Sequence, residues 1–205
     1  MQEGKDILLQ NHSIEPRKSA LFVDRDGAIN VDASYISAPE KVALLDGAAE
    51  MIKAFNEAGW PAIILPNQSG IGQCHFSRAT AIAVQPRIEA LLEQTSYWLY
   101  VVFLCPAPPS SGADLAAWRK PNPGMLLTAE RLLGVPLRSS IIVGDKRTDM
   151  QASALAHLRG GFWLTPEQTV DTKIKNFSVL WTTDHQKIRP EKLSIFGYEA
   201  CHDQK

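Results

Sequence analysis

Short apolar runs recur along the chain, separated by stretches whose apolar positions have helical spacing. A short apolar run bounded by turn residues predicts a buried strand. Strands that alternate with helices predict an α/β fold, here a doubly wound parallel sheet with helices on both faces. The predicted strands cover residues 20–23, 62–65, 97–104, 140–144 and 161–164, with a short sixth at 179–181.

The stretches between these strands predict helices and loops. Helices are expected at residues 47–60, 77–94 and 125–133, and from 149 to 158. Within the second of them, Pro86 should start a new helix or kink the existing one. Residues 28–46 predict a loop or flap, and the proline- and serine-rich stretch 105–118 predicts a loop. We therefore predict one core domain, residues 19–182, between a surface leader, 1–18, and a C-terminal tail, 183–205.

Composition and charge exclude several classes of protein. The 205 residues are 45% hydrophobic and 21% charged, with net charge −1, as in an ordinary globular domain. No basic excess favours nucleic acid or an anionic membrane. The longest apolar run, 97–105, is too short to span a bilayer, and the N-terminus lacks a signal-peptide pattern. Three cysteines in no metal-like pattern predict a reduced, cytoplasmic protein without disulfides.

Polar side chains follow three of the predicted strands. Asp24 and Asp26 end the first strand two residues apart, so both should project to one side. Asn67, Gln68 and Ser69 follow the second strand. Asp145 follows the fourth strand, and the pair Arg119-Lys120 precedes a helix. The carboxyl ends of parallel strands meet in one crevice, where clustered acids and a lysine would hold Mg²⁺ beside a phosphate.

These motifs together resemble the haloacid dehalogenase (HAD) superfamily of phosphatases. Within it the chain is most similar to the heptose-1,7-bisphosphate 7-phosphatases, with the histidinol-phosphate phosphatases as a sister group. The similarity covers roughly residues 19–165 and implies a HAD-like fold with minimal cap loops. It rests on Asp24-Arg25-Asp26-Gly27-Ala28-Ile29-Asn30-Val31-Asp32…Tyr35, Asn67-Gln68-Ser69-Gly70-Ile71, Arg119-Lys120-Pro121-Asn122-Pro123-Gly124-Met125 and Gly144-Asp145-Lys146…Thr148-Asp149-Met150.

The resemblance implies a role for each acid and for the lysine. Asp24 would be the nucleophile that accepts the phosphoryl group, and Asp26 the general acid and base. Asp24, the backbone carbonyl of Asp26, and Asp145 would hold Mg²⁺. Lys120 would neutralise charge on the transferring group, and Asp149 would orient Lys120 or a metal-bound water.

The implied substrate is a phosphorylated sugar, most simply a heptose bisphosphate used to make envelope polysaccharide. The protein would be a monomer or a small homo-oligomer. A guanidinium such as Arg119 suits this ligand because it can bind phosphate through two hydrogen bonds. The substrate contacts implied by the resemblance are Asp32, Tyr35, Asn67, Gln68, Ser69, Arg119 and Lys146.

Two departures from the family pattern affect these expectations. Pro66 stands where the family has a Thr or Ser that donates to a phosphoryl oxygen, and losing such a donor costs about 10²–10³ in turnover. Many relatives bind structural zinc, but only one of the four ligand positions keeps its cysteine. Those positions are Cys105, Ala107, Ala116 and Trp118. One thiol cannot make a four-ligand site, so no zinc is expected.

Several alternatives stay open from the sequence. The substrate could be histidinol phosphate or another small ester, and Pro66 is compatible with a weakened or inactive relative that only binds ligand. Asn67, Gln68 and Ser69 could be turn formers only, and Asp149 could be an ordinary acid in the first turn of a helix. Asp32 and Tyr35 could be ordinary surface residues.

Overall fold

A computed structural model describes residues 6–9, 18–32, 38–93, 99, 101–108, 110–165 and 174–196. The strands are β1 Asp6–Leu9, β2 Leu21–Val23, β3 Ala62–Ile64, β4 Val101–Leu104, β5 Ile141–Gly144, β6 Gly160–Leu164 and β7 Val179–Thr182. The helices are α1 Ala48–Glu57, α2 Ser69–Gly72, α3 Arg78–Glu93, α4 Ala113–Trp118, α5 Gly124–Leu133 and α6 Arg147–Leu155. Short 3₁₀ helices cover Pro39–Lys41, Leu137–Ser139, His185–Lys187 and Pro190–Phe196.

The seven strands form one sheet in the order β1-β4-β3-β2-β5-β6-β7. Strands β2 to β7 are parallel to their neighbours, and β1 pairs antiparallel with β4 at one edge. The order reverses at β2, which lies between β3 and β5. The predicted doubly wound α/β fold is therefore confirmed, and the crevice expected at such a reversal lies at the carboxyl end of β2.

Alternate residues of the strands point into two separate core layers. Leu21 and Val23 face the layer that contains the buried side chains of α1 and α3, while Phe22 faces the layer beneath α4, α5 and α6. Strands buried on both faces read as continuous apolar runs, which is why the sequence predicts them so directly. The sheet is thus a rigid support for the loops at its carboxyl edge.

The second long helix continues through Pro86, so no new helix starts there. Val84 and Ile88 lie on either side of the proline, and both are fully buried in the core layer of α1. A proline inside a helix costs about 3 kcal/mol, while burying each such aliphatic side chain contributes about 1.5–3 kcal/mol. Tertiary packing therefore outweighs the local preference.

The predicted loop 105–118 contains a helix, α4, and this prediction was also wrong. Trp118 at its end is buried, packs against Phe103 with ring centroids 6.1 Å apart, and donates its indole N–H to the carbonyl of Leu104 at 3.4 Å. Burial of this large side chain explains an ordered turn of helix within a proline-rich stretch.

Both flanking segments make contact with the core. In the predicted leader, Asp6–Leu9 pairs with β4, and Ile7 packs against the layer beneath α4 to α6. In the predicted tail, Ile188 and Leu193 are buried in the layer of α1 and α3. These described parts of the leader and tail therefore belong to the fold. Within the described ranges, no helix has both the length and the apolar character to cross a membrane.

Candidate active site

Three carboxylates meet at the carboxyl edge of the sheet. Asp24 follows β2, Asp145 follows β5, and Asp149 lies in the first turn of α6. Each offers an oxygen that lies within 4.8 Å of the oxygens of the other two. Asp24 is almost wholly buried and Asp149 wholly so, and like charges this close need a counter-charge.

Lys120 supplies that counter-charge. Its ammonium lies 3.0 Å from Asp24 Oδ1 and 2.6 Å from Asp149 Oδ1, and its side chain is only 2% exposed. The backbone of Lys120 is fixed by Asn67, whose Nδ2 donates to the lysine carbonyl at 2.9 Å and whose Oδ1 accepts from the lysine N–H at 3.1 Å. Asn67 therefore positions the lysine, a contact that its place in a turn does not predict.

Asp149 is fixed on its other side by the start of α6. Its Oδ2 accepts from the backbone N–H of Lys146 at 3.0 Å, which closes a capping box at the helix N-terminus. Both of its oxygens are therefore engaged, one by this cap and one by Lys120. The predicted contact between Asp149 and Lys120 is present, and it makes the helix start part of the support for the lysine.

Burial and mutual repulsion shift the pKa values of the cluster. Burial raises the pKa of Asp24 to about 7, and the charges of Asp149 and Asp145 add to the rise while Lys120 opposes it. Burial also raises the pKa of Asp145, against the lowering effect of Lys146. Burial lowers the pKa of Lys120, but Asp149 and Asp24 outweigh it, so that this pKa is raised and the lysine stays charged.

Asp26 has a separate set of partners. Arg25 donates to both of its oxygens, with Nε 3.1 Å from Oδ1 and Nη2 2.9 Å from Oδ2. Asn30 Nδ2 donates to Oδ1 at 2.9 Å and Gln68 Nε2 to Oδ2 at 2.6 Å. Burial raises the pKa of Asp26, but the Arg25 charge and these hydrogen bonds outweigh burial and hold the pKa below 3.8. The Asp26 carboxylate is thus an ionised acceptor bound by four donors.

The residues at this edge fit a hard divalent cation such as Mg²⁺. Asp24 and Asp145 present carboxylate oxygens, and Oδ1 of Asp145 is buried without a hydrogen-bond donor in the described part of the chain. Gly27 has φ +85°, and a Cβ there would collide with the Asp145 carboxylate, so glycine lets the loop approach that side chain. The carboxylate of Asp26, in contrast, lies outside the three-acid cluster.

A pocket of about 400 Å³ opens beside the cluster. Its half-exposed Lys146 lies 3.3 Å from Asp32 Oδ2 and 3.6 Å from Asp145 Oδ2, and these carboxylates raise its pKa although burial opposes them. Arg119 uses Nη1 to bind the carbonyl of Ala107 at 2.8 Å. The lining residues are Asp26, Asp32, Asn67, Gln68, Ser69, Gly70, Arg119, Lys146 and Thr148.

Every predicted site residue except Tyr35 lies in this cluster or pocket. Tyr35 lies outside the described ranges. The sequence alone assigns no site role to Arg25, Asn30 or Thr148. The position of Asn30 four residues after Asp26, in the same motif, was an available signal. Pro66 is buried, and its carbonyl accepts from the N–H of Cys105 at 3.2 Å.

Comparison with known proteins finds one family and several relatives. Residues 117–172 match the model of the HAD-hydrolase-like family. A D-glycero-beta-D-manno-heptose-1,7-bisphosphate 7-phosphatase of Mesorhizobium japonicum is 39% identical over 159 residues, covering 76% of this chain and 73% of the relative. The beta-anomer enzyme of Escherichia coli K12 is 32% identical over 158 residues, covering 72% and 83%. A relative from Burkholderia mallei is named for the alpha anomer. It is 35% identical over 144 residues, covering 68% of this chain and 76% of the relative.

Two solved structures extend the similarity to the fold. A HAD-like phosphatase from Mesorhizobium loti superimposes with TM-score 0.83 at 33% identity, covering 96% of this chain and 94% of that one. The D,D-heptose 1,7-bisphosphate phosphatase of B. bronchiseptica, solved with magnesium and phosphate, gives TM-score 0.71 at 27% identity, covering 79% and 92%. The relatives confirm the resemblance inferred from the motifs.

Proposed function

The chain belongs to the HAD-like phosphatases, in the family of the heptose-1,7-bisphosphate 7-phosphatases, and we propose that it hydrolyses a phosphate ester of a heptose 1,7-bisphosphate. The observation that carries this proposal is the placement of the Lys120 ammonium between the carboxylates of Asp24 and Asp149, beside Asp145. A nucleophilic carboxylate, a fixed cation and a further acid are what phosphoryl transfer requires.

In the first step Asp24 attacks the phosphorus atom of the ester. Asp26, which is ionised in the free protein, takes up one proton from solvent when the ester binds. A bond forms between a carboxylate oxygen of Asp24 and phosphorus, the bond from phosphorus to the sugar oxygen breaks, and that oxygen takes the proton from Asp26. In the second step a water attacks the aspartyl-phosphate and gives a proton to Asp26. Phosphate leaves and the Asp24 carboxylate is regenerated.

Lys120 stabilises the charge that develops on the transferring group. Two carboxylates contact its ammonium, and Asn67 hydrogen-bonds to its backbone. The lysine therefore needs little rearrangement during the reaction. We propose that Asp24, Asp145 and the backbone carbonyl of Asp26 hold Mg²⁺. When bound, this ion supplies the positive charge that keeps Asp24 ionised and offsets phosphate charge.

The pocket beside the cluster is where we place the rest of the sugar phosphate. Arg119 and Lys146 are its cationic groups, suited to a second phosphate, and Ser69 and Asp32 add hydroxyl and carboxylate partners for sugar hydroxyls. We propose the same role for Tyr35 from the motif alone. One relative is named for the beta anomer and another for the alpha anomer, so the assay below compares both anomers as substrates of this chain.

A slower enzyme is the second candidate, and Pro66 favours it. Proline has no backbone N–H and no hydroxyl, so it can donate nothing to a phosphoryl oxygen at the end of β3. We also propose a reducing, cytoplasmic location, since neither of the cysteines in the described ranges, Cys74 and Cys105, is in a disulfide.

The test is release of inorganic phosphate by the purified full-length chain with Mg²⁺. The panel contains both anomers of heptose 1,7-bisphosphate, histidinol phosphate and p-nitrophenyl phosphate, with Asp24→Asn as the inactive control. We expect release from a heptose bisphosphate to exceed release from histidinol phosphate, and the control to lose it. Release equal to the control on every ester would refute the proposal and favour an inactive ligand-binding relative.

A further inference from the structure

The four hydrogen bonds on Asp26 have a consequence for its use as an acid and base. An ionised carboxylate offers about four lone-pair directions. Arg25 occupies one on each oxygen, Asn30 a second on Oδ1, and Gln68 a second on Oδ2. A carboxylate bound in this way has no lone pair left for the proton that a general acid must carry, so one donor must withdraw first.

Burial and accessibility identify the donor that can withdraw. Arg25 is 2% exposed and forms a two-bond ion pair with Asp26, so breaking it would strand a buried charge. Asn30 is fully buried and also donates to the carbonyl of Val31 at 3.0 Å. Gln68 is also buried, at 6% exposed, but it lines the pocket, and it is a neutral amide with one hydrogen bond to Asp26, so its withdrawal strands no charge.

We propose that Gln68 is a positioning residue that acts as a substrate-displaced latch on Asp26. In the free enzyme its amide donates to Oδ2. On substrate binding the amide withdraws, and Oδ2 then carries a proton that it donates to the leaving oxygen of the ester. This inference rests on the proposed phosphatase function and assigns Gln68 a different role from a direct substrate contact.

The exchange leaves the chemistry balanced. Once Gln68 has withdrawn, Oδ2 of the Asp26 carboxylate takes up one proton from solvent. When the bond between phosphorus and the leaving oxygen breaks, that oxygen keeps the electron pair and takes this proton, giving an alcohol. The water that hydrolyses the aspartyl-phosphate returns a proton to the same carboxylate. Gln68 gains and loses only a hydrogen bond, so it affects the steps that use Asp26 and not the attack by Asp24.

Leaving groups that differ in their need for a proton therefore test the latch. A sugar alkoxide requires protonation by Asp26, whereas p-nitrophenolate leaves readily without it. Gln68→Met removes the donor at similar length. We expect kcat/KM for heptose 1,7-bisphosphate to rise about tenfold relative to kcat/KM for p-nitrophenyl phosphate, because a charge-assisted hydrogen bond no longer has to be broken.

Matched variants separate this effect from misfolding. Gln68→Asn keeps the amide but shortens its reach, and should shift the same ratio upward even if the methionine variant folds poorly. Gln85→Met makes the same chemical change at a buried glutamine of α3, whose side chain bonds to no residue of the described chain. That control should leave the ratio unchanged.

Any other outcome for the Gln68 variants contradicts the proposed role of Gln68 as a substrate-displaced latch. A raised KM for both esters would make Gln68 a direct substrate contact, and an unchanged ratio would leave it a structural residue. A fall confined to the sugar ester would mean that the amide assists Asp26 during cleavage. Failure of the wild-type chain to release phosphate from either ester would instead refute the proposed function.

Discussion

Asp24→Asn should make the metal-free protein more stable at alkaline pH. In the wild-type chain this carboxylate is buried beside Asp149 and Asp145, and its pKa rises from 3.8 to about 7 although Lys120 is 3.0 Å away. The folded state therefore binds a proton more tightly than the unfolded chain. An asparagine keeps the shape and an acceptor oxygen for Lys120, but it carries no charge to bury.

The size of the effect follows from proton linkage. A carboxyl group with a raised folded-state pKa contributes stability that is fully present below its unfolded value, 3.8, and is lost as the pH rises through about 7. Each unit of pKa shift corresponds to about 1.4 kcal/mol. Between roughly pH 5.5 and 8, the Asp24 contribution to the free energy of unfolding should fall by about 2 kcal/mol.

Urea denaturation in the presence of a chelator measures this loss. The wild-type chain and Asp24→Asn are unfolded at both pH values, and the difference between them isolates the contribution of one group from that of other titrating residues. We expect Asp24→Asn to lose about 2 kcal/mol less stability than the wild type over this range. Excess Mg²⁺ should reduce the difference, because a bound cation favours the ionised carboxylate.

An exposed acid provides the control. Asp114→Asn on α4 removes a carboxylate that faces solvent, and its stability should follow the wild type at both pH values. Parallel pH dependence of wild type and Asp24→Asn would refute the reasoning, because it would mean that the three-acid cluster does not raise the pKa of Asp24 in solution.

Three further predictions concern the loops at the site. Pro66→Thr should restore a hydroxyl donor and raise kcat by about 10²–10³ with an unchanged circular dichroism spectrum; no gain would mean that Pro66 does not limit turnover. Gly27→Ala should lower the free energy of unfolding by about 2 kcal/mol and reduce phosphate release, because alanine is strained at φ +85° and its Cβ meets Asp145; wild-type stability in a urea titration would contradict this. Elemental analysis should find no stoichiometric zinc, since Cys105 is the one cysteine kept among the four family positions, and one zinc per chain would overturn that expectation.

The sequence predicts those parts of the fold in which local pattern and tertiary packing agree. The strands that contain Phe22 and Ile142 are apolar on both sides because both faces of the sheet are covered. A continuous apolar run in the sequence therefore corresponds directly to a buried strand. The prediction fails where packing overrides local preference. Pro86 continues a helix because its neighbours are buried, and Trp118 ends a helix inside a proline-rich stretch because its ring enters the core.

The site is predictable at the level of the backbone and less so at the level of side-chain pairing. The motifs place Asp24 and Asp145 correctly because each directly follows a central strand. They do not reveal that Arg25 turns back onto Asp26, or that Gln68 bonds to that acid across 42 positions of sequence. Such pairings depend on how two loops meet at the edge of the sheet, and the local sequence pattern contains no information about that contact.

The loop behind the catalytic acids is completed by a residue far along the chain. The Nε2 atom of buried His185 lies 2.8 Å from the carbonyl oxygen of Ala28, 157 positions earlier. During synthesis on the ribosome, the amino-terminal half of the protein will emerge with this loop still lacking its final contact. A nascent or prematurely terminated polypeptide that ends before His185 should therefore be unable to form the finished catalytic centre, even though its first catalytic residue is translated at position 24.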